Sequence, residues 1–233
     1  MRKHLIGGRA VPTDAWLVVP LFNEGPVVGD VIREALGTFP KIVCVDDGSG
    51  DDSAGIARRA GAVVVSHPIN LGQGAALQTG LTYALQDRAA NYFVTFDSDG
   101  QHRVSDAEAM VERLRAEPDL DIILGSRFLD DKVEAGALKR LVLKTAVRFE
   151  RFSTKLDVTD THNGLRALNR HAASTIRIHQ NRMAHGSEFL REIATHKLAY
   201  REHPVHVLYT DYSRAKGQSL WNSVNILFDL MFG

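Results

Sequence analysis

The sequence has little cysteine, no excess of either charge and no long apolar run, and each absence excludes a class of protein. Its single cysteine, Cys44, lies in an apolar stretch, so neither a disulfide framework nor a cysteine-rich zinc site can form. Lys plus Arg and Asp plus Glu both number 28, so no net charge favours nucleic acid or an anionic membrane as a partner. No run of about 18 apolar residues predicts a transmembrane helix. Only Leu5 and Ile6 precede Gly7, too few for the apolar core of a signal peptide, so we expect a cytoplasmic protein.

What the sequence does have is enough apolar residues for one large domain. The chain has 233 residues, 44% of them hydrophobic, and it shows no repeat, low-complexity tract or linker. We therefore predict one domain over residues 1–219. The last stretch, 220–233, places Leu220, Val224 and Leu227 on one face of a predicted helix. That helix would serve as a peripheral contact with a membrane, as a homodimer contact or as part of the core.

Apolar runs of strand length alternate along the first half of the chain with segments whose apolar residues recur at helical spacing. This alternation predicts an α/β fold, a doubly wound and mostly parallel sheet with helices on both faces. In such a sheet ligands bind at the carboxyl ends of the strands. Strands are predicted at 15–22, 41–45, 62–65, 92–96, 121–125 and 200–209.

Two carboxylates follow the strand at 92–96 directly. In an extended segment residues i and i+2 point to the same side, so Asp97 and Asp99 would aim at one point beyond the strand. Like charges held this close repel each other unless a cation lies between them. Oxygen ligands favour a hard ion, Mg2+ or Mn2+. The alternative interpretation is a solvated turn in which one of the two residues caps the next helix.

Seven motifs carry a resemblance to a known family: VVPLFNE at 18–24, VDDGSGDDS at 45–53, NLGQGAALQTG at 70–80, FDSDGQH at 96–102, GSRF at 125–128, DTHNGLR at 160–166 and SRAKGQS at 213–219. Taken in this order, they resemble the family-2 glycosyltransferases with a GT-A fold. The resemblance is closest to their polyprenyl-phosphate and dolichol-phosphate sugar synthase branch. It implies an inverting, metal-dependent transferase that acts in cell-surface polysaccharide or glycoconjugate synthesis.

The resemblance also implies which residues bind the donor, a UDP-, GDP- or dTDP-sugar. The metal, Mg2+ or Mn2+, would be held by Asp97, Asp99 and Gln101. Both acidic and basic segments also have an alternative interpretation without a role in donor binding. The acidic pair at 46–47 could cap a helix, and the segment 213–219 could be a solvated basic loop. The expected donor-site residues are Pro20, Leu21, Asn23, Glu24, Asp46, Asp47, Gly74, Ser98, Arg127, Arg214 and Lys216.

The acceptor is either a lipid phosphate or a hydroxyl of a glycan or lipid-linked sugar, and the choice decides whether a general base is needed. A phosphate is already an anion near pH 7, whereas a hydroxyl must lose a proton to a nearby carboxylate. The resemblance makes Glu188 the first candidate for that base and Asp160 the second. The alternative role of Glu188 is to stabilise a helix N-terminus. Leu220 stands where the polyprenyl-phosphate branch often has Lys, which counts against a phosphate acceptor.

Three other functions compete with this prediction. A sugar-1-phosphate nucleotidylyltransferase can share such a sheet, but it normally has a glycine-rich loop where this chain has residues 21–24. A nicotinamide-binding oxidoreductase is suggested by Gly72-Gln73-Gly74, which lacks the third glycine of that fingerprint. A non-catalytic protein that binds sugar nucleotides is the third. Four histidines could also reach the site: His162, His185, His203 and His206.

Overall fold

The computed structural model describes residues 5–6, 9–10, 13–129, 156–161, 163–181, 184–208 and 212, the first two pairs by their backbone alone. Three predicted features lie outside these residues. They are His162, the basic loop at 213–219 with Arg214 and Lys216, and the apolar segment 220–233.

A seven-stranded sheet forms the centre of the described chain. Its strand order is β5-β4-β3-β6-β8-β7-β9, and a short antiparallel pair, β1 (Leu5–Ile6) and β2 (Arg9–Ala10), stands apart from it. The strands of the sheet are β3 (Ala15–Leu21), β4 (Ile42–Asp46), β5 (Val63–Ser66), β6 (Tyr92–Thr95), β7 (Ile122–Ser126), β8 (Arg166–Asn169) and β9 (Tyr200–Pro204).

Helices connect these strands and cover both faces of the sheet, as predicted. Leu17 and Val19 of β3 point into one apolar cluster with α1 and α4, while Val18 between them points into a second cluster with α3 and α6. Because successive strand residues face opposite sides, a strand buried on both faces must be apolar throughout. The described helices are α1 (Gly25–Leu36), α2 (Ser53–Ala60), α3 (Gln73–Ala84), α4 (Val104–Ala116), α5 (Arg170–Thr175) and α6 (His185–His196).

Most neighbouring strands are parallel, and the exception is β8. It lies between β6 and β7 and runs antiparallel to both. We predicted no strand there, because the polar stretch that precedes it resembles a loop and β8 itself has only four residues, RALN. The consequence for the site is that Arg166, the first residue of β8, lies opposite Thr95, the last residue of β6.

The parallel strands β3, β4 and β6 end at the same edge of the sheet. Leu21, the last residue of β3, is in register with Asp46, the last residue of β4. The turns that follow these strands therefore meet at one edge, where the motifs of the sequence are brought together. Over the residues that the structure describes, no helix is long and apolar enough to cross a membrane.

Candidate active site

A cavity of about 610 Å³ opens at this edge of the sheet. The turns after β3, β4 and β6 line one side of it, and the segments around β7, β8 and the start of α6 line the other. The predicted site residues that line it are Pro20, Leu21, Glu24, Asp47, Asp97, Ser98, Asp99, Gln101 and Arg127.

Asp97 and Asp99 lie together in this cavity, and each has partners that fix its carboxylate. Asp97 accepts a hydrogen bond from the Gln73 amide at 3.1 Å, and its other oxygen lies 2.9 Å from Nε2 of His102. Asp99 accepts the backbone N–H of Gln101 at 3.0 Å. Neither carboxylate caps the N-terminus of α4, where Arg103 is the capping residue and makes no side-chain cap.

The electrostatics of the pair are those of a cation site. Burial raises the pKa of Asp99, and the neighbouring charge of Asp97 adds to this, so that it reaches about 6. Burial acts on Asp97 in the same direction, but the hydrogen bond and charge of His102 outweigh it and hold its pKa below the ordinary value. For His102, burial alone would lower the pKa, yet the bond to Asp97 and the two carboxylate charges raise it. Of the two carboxylates, Asp99 is therefore the one whose charge is less well offset by its described neighbours.

A hard divalent ion fits these residues. Among the described residues there is no group of three or more His, Cys, Asp or Glu side chains arranged to hold a metal. An ion here would therefore have the two carboxylates and the Gln101 side chain as protein ligands, with water or substrate phosphate completing its shell. Mg2+ and Mn2+ commonly bind in this incomplete way.

The loop before β8 packs directly against Asp97. A Cβ placed on Gly164 would lie only 2.6 Å from Oδ2 of Asp97, so no larger residue fits without moving the carboxylate. The Gly164 carbonyl accepts a hydrogen bond of 2.6 Å from the Thr95 hydroxyl at the end of β6. This loop thus joins the two sides of the cavity at the acidic pair.

Of the two acidic residues at the end of β4, Asp47 borders the cavity and Asp46 does not. Asp47 accepts the backbone N–H groups of Leu71 and Gly72, at 2.9 and 2.7 Å, and closes the turn before α3. The Asp46 carboxylate accepts the Ser49 N–H, at 3.3 Å, within its own turn. The structure gives both residues a role in turn geometry and gives Asp47 access to a ligand as well.

Asn23 and Gly74 lie beside the cavity without lining it. The Asn23 side chain accepts the Gly50 N–H at 2.8 Å, and the backbone N–H of Asn23 donates to the Ser49 hydroxyl, so this residue ties the β3 turn to the β4 turn. A Cβ on Gly74 would lie 2.1 Å from the carbonyl oxygen of Gln180. The close approach that requires glycine at position 74 is therefore to another segment of this chain.

Arg127 and Asp160 form a bidentate ion pair on the other side of the cavity. Nε and one terminal nitrogen of Arg127 lie 2.6 and 2.8 Å from the two Asp160 oxygens, and the Arg127 N–H also reaches this carboxylate. Glu202 on β9 accepts the backbone N–H groups of Thr159 and Asp160 and holds their loop in place. Arg127 lines the cavity, whereas Asp160 lies behind it and is 4% exposed.

Arg166 and Asn163 are site residues that sequence reasoning missed as individuals, although both lie in the quoted motif at 160–166. Arg166 is 4% exposed, lines the cavity and stacks its guanidinium 4.3 Å above the Phe189 ring. Burial lowers its pKa to about 10, so it remains a cation at neutral pH. The buried Nδ2 of Asn163 has no hydrogen-bond partner in the described structure. The many polar residues at 160–166 could be seen in the sequence, but the strand that holds Arg166, β8, could not be predicted from it.

Glu188 does not line the cavity, although His185 and Gly186 of the same helix do. Its Oε2 accepts the backbone N–H groups of His179 and Gln180, at 2.9 and 2.7 Å. The carboxylate therefore holds the segment before α6 against the helix. Of the remaining histidines that sequence reasoning proposed, His203 and His206 do not line the cavity.

Comparison with known proteins adds a family to this geometry. The family model for glycosyl transferase family 2 matches residues 16–177. An uncharacterised protein of Methanocaldococcus jannaschii is 33% identical over 94% of this chain and 91% of its own length. The UDP-N-acetylglucosamine–dolichyl-phosphate N-acetylglucosaminyltransferase of Methanococcus voltae is 27% identical over 93% of this chain and 94% of its own.

A solved structure shows the same fold. It is glucosyl-3-phosphoglycerate synthase from Mycobacterium tuberculosis, in complex with Mn2+, uridine diphosphate and phosphoglyceric acid. The alignment has a TM-score of 0.68 and 18% identity, and it covers 94% of this chain and 78% of that one. The predicted GT-A architecture is confirmed.

Proposed function

The chain belongs to glycosyl transferase family 2, and on that premise we propose that it moves a sugar from a UDP-sugar to the phosphate of a polyprenyl phosphate. The observation that carries this proposal is that one cavity is lined both by an acidic pair, Asp97 and Asp99, and by two arginines, Arg127 and Arg166. A relative whose name includes both UDP-N-acetylglucosamine and dolichyl phosphate supports the same donor and acceptor classes.

On the donor side, Asp97, Asp99 and Gln101 would hold Mg2+ or Mn2+. The bound ion would offset the charge that develops on the departing diphosphate. Asp47 would accept an N–H of the base, because an ionised carboxylate is a strong acceptor and this one borders the cavity. The M. tuberculosis enzyme with Mn2+ and uridine diphosphate supports both the ion and the nucleotide.

On the acceptor side, Arg166 would bind phosphate through guanidinium nitrogens that have no hydrogen-bond partner in the described chain. Its ring partner Phe189 fixes the plane of the guanidinium, so less conformational entropy is lost when an anion binds. Nδ2 of Asn163, which has no hydrogen-bond partner among the described residues, would donate to the same group. Arg127 is already paired with Asp160, and it would add positive potential and a weaker contact.

A phosphate acceptor needs no general base, and the two predicted bases are engaged elsewhere. Asp160 is bound by Arg127, and Glu188 accepts two backbone N–H groups outside the cavity. Positioning an acceptor that is already anionic is then sufficient for attack on the anomeric carbon. A single displacement of this kind inverts the configuration. With a hydroxyl acceptor, Glu188 or Asp160 would have to take the proton instead.

Two further expectations, on the domain and on the last segment of the chain, remain proposals. We propose that residues 1–219 form one catalytic domain and that the apolar segment 220–233 brings this domain to the cytoplasmic face of a membrane, where a polyprenyl phosphate lies. A homodimer through the same segment is the competing role. Flotation with vesicles and the oligomeric state in solution, each measured for the full chain and for a chain ending at residue 219, separate the two. If the segment contacts a membrane, the shorter chain no longer floats with the vesicles; if it forms the dimer contact, the shorter chain is no longer a dimer.

The test of the proposed reaction uses matched acceptors. The full chain is incubated with UDP-, GDP- and dTDP-sugars and Mn2+ or Mg2+, together with a polyprenyl phosphate, the corresponding polyprenol or a glycan. We expect transfer only to the phosphate, only from a UDP-sugar, and none in EDTA. NMR of the product should show an inverted anomeric centre. Transfer to the polyprenol or the glycan would overturn the phosphate assignment.

Two further outcomes would identify the competing functions. Release of inorganic diphosphate from a nucleoside triphosphate and a sugar 1-phosphate would identify a nucleotidylyltransferase. Saturable donor binding with no turnover on any acceptor would identify a non-catalytic binder.

A further inference from the structure

His67 lies behind the donor side of the cavity, between two polar side chains. Its Nδ1 is 2.8 Å from Oδ1 of Asp47, and its Nε2 is 3.0 Å from the Thr79 hydroxyl of α3. The side chains of His67 and Asp47 are only 10% and 4% exposed. His67 itself does not line the cavity, so it cannot touch a bound nucleotide directly.

The chemistry of the three groups fixes the direction of one hydrogen bond. An ionised carboxylate can only accept, so Nδ1 of His67 donates to Asp47. The Thr79 hydroxyl can donate or accept, and it therefore satisfies Nε2 whether or not that nitrogen carries a proton. The ring is held at both ends, and it holds the Asp47 carboxylate in turn.

The Asp47 carboxylate also binds the turn before α3. The same carboxylate accepts the N–H groups of Leu71 and Gly72, so three donors converge on it. Asn70, Gly72 and Gln73 of that turn line the cavity. The Gln73 amide then reaches Asp97 of the acidic pair at 3.1 Å. A continuous chain of contacts therefore runs from Thr79 through His67 and Asp47 to the turn before α3. From that turn the Gln73 side chain extends it to Asp97.

We propose that His67 is a positioning residue for donor binding, an inference that rests on the proposed function. It holds the Asp47 carboxylate in the orientation that accepts an N–H from the nucleobase. A carboxylate has about four acceptor positions, and three of those on Asp47 are filled from within the chain. The fourth is left for a base that presents a ring N–H, as uracil, thymine and guanine do.

Two substitutions test the hydrogen bonds of the two His67 ring nitrogens separately. His67→Asn places an amide nitrogen near the position of Nδ1 and preserves the bond to Asp47. His67→Gln places its amide near the position of Nε2, where it can still meet Thr79 but leaves Asp47 without this donor. His67→Ala removes both contacts, and Thr79→Val removes only the hydroxyl.

The readouts are the Kd of UDP with Mn2+, measured by calorimetry, and the KM and kcat for the donor. We expect His67→Gln and His67→Ala to raise Kd and KM about tenfold, the loss of one hydrogen bond to a charged group, with kcat within about twofold. His67→Asn should stay within about threefold of the wild type, and Thr79→Val should lie between the two.

A merely structural role predicts a different pattern, in which all four variants unfold at lower temperature and UDP affinity does not change. That pattern, or equal affinity for His67→Asn and His67→Gln, overturns the inference while the proposed function stands. If the wild type itself binds none of UDP, GDP and dTDP, the proposed function fails and this inference fails with it.

Discussion

The two sides of the cavity differ in charge and in how they are built. The donor side is acidic and consists of turns that follow the parallel strands β3, β4 and β6. The acceptor side carries Arg127, Arg166 and His185, and it consists of irregular segments around the antiparallel strand β8. The regular side is the one where the proposed metal would need a fixed geometry. The irregular side is the one where substrates of different chemistry must be accommodated, because loops can vary without disturbing the sheet.

The charge difference follows from the chemistry that each side would perform. A nucleoside diphosphate is an anion, so carboxylates on its side of the cavity are useful only if a cation lies between them and the phosphates. An acceptor phosphate has no such intermediary and needs direct cationic contacts. The two sides can therefore be tested separately, by changes that remove charge from one and leave the other intact.

The largest effect should come from Asp99→Asn. The substitution keeps the shape of the side chain but removes one of the two carboxylates that would bind the metal. We expect kcat/KM to fall by more than about a thousandfold, with loss of any stimulation by Mn2+. Steady-state transfer at several Mn2+ concentrations measures this.

Asp30→Asn is the matched control for that change. The Asp30 side chain is 84% exposed on α1 and, within the described part of the chain, pairs with Arg33, so the same chemical change there should leave transfer within about twofold of the wild type. Full activity in Asp99→Asn would remove the metal from the proposed mechanism.

Arg166→Met should have the next largest effect, and it acts on the other side. Methionine keeps much of the apolar contact with Phe189 but removes the guanidinium. We expect the KM for polyprenyl phosphate to rise about 30- to 100-fold, as for the loss of hydrogen bonds between charged groups, with donor binding unchanged. Acceptor titration at saturating donor measures this.

Arg170→Met provides the comparison for Arg166. Arg170 is a second arginine of the same region, but it donates to the backbone carbonyls of Leu85, Asp87 and Ala90. Its loss should lower the unfolding temperature and leave the acceptor KM unchanged. A raised KM in both variants would mean that Arg166 acts through the fold.

A smaller effect should be seen in the stability of the metal-free protein. The pKa of Asp99 is about 6 in the fold and 3.8 in its ordinary state, so folding favours the protonated form between these values. Above pH 6 the charged form costs stability in full. In EDTA at pH 7.5, Asp99→Asn should therefore melt several degrees above the wild type, and the gap should close towards pH 4. A gap that widens as the pH falls would contradict the stated pKa.

The same contrast explains how much the sequence could reveal. The strands β3, β4 and β6 are continuous apolar runs, and a parallel βα fold brings their carboxyl ends to one edge whatever the remainder of the chain does. The positions of Asp47, Asp97 and Asp99 could therefore be predicted from local pattern alone.

The acceptor side could not be predicted in this way. Arg166 lines the cavity because β8 is inserted between β6 and β7, and a four-residue strand with a polar residue at each end leaves no clear periodic signal. Glu188 shows the reverse difficulty. Its place in the first turn of a helix was visible, but the backbone of the segment before α6, which its carboxylate binds, is a tertiary contact.

Glu188→Gln should have the smallest effect, and that is what makes it informative. Glutamine keeps one oxygen that can accept the N–H groups of His179 and Gln180, so we expect only a slightly lower unfolding temperature and a kcat/KM within about threefold of the wild type. Removing a general base usually lowers the rate by roughly 10²- to 10⁴-fold, so the effects expected for the two roles of Glu188 differ clearly. A loss of that size, with donor affinity unchanged, would mean that the carboxylate leaves its two backbone partners during turnover. The acceptor would then have to be a hydroxyl, and the acidic and cationic sides of the cavity would no longer correspond to donor and acceptor.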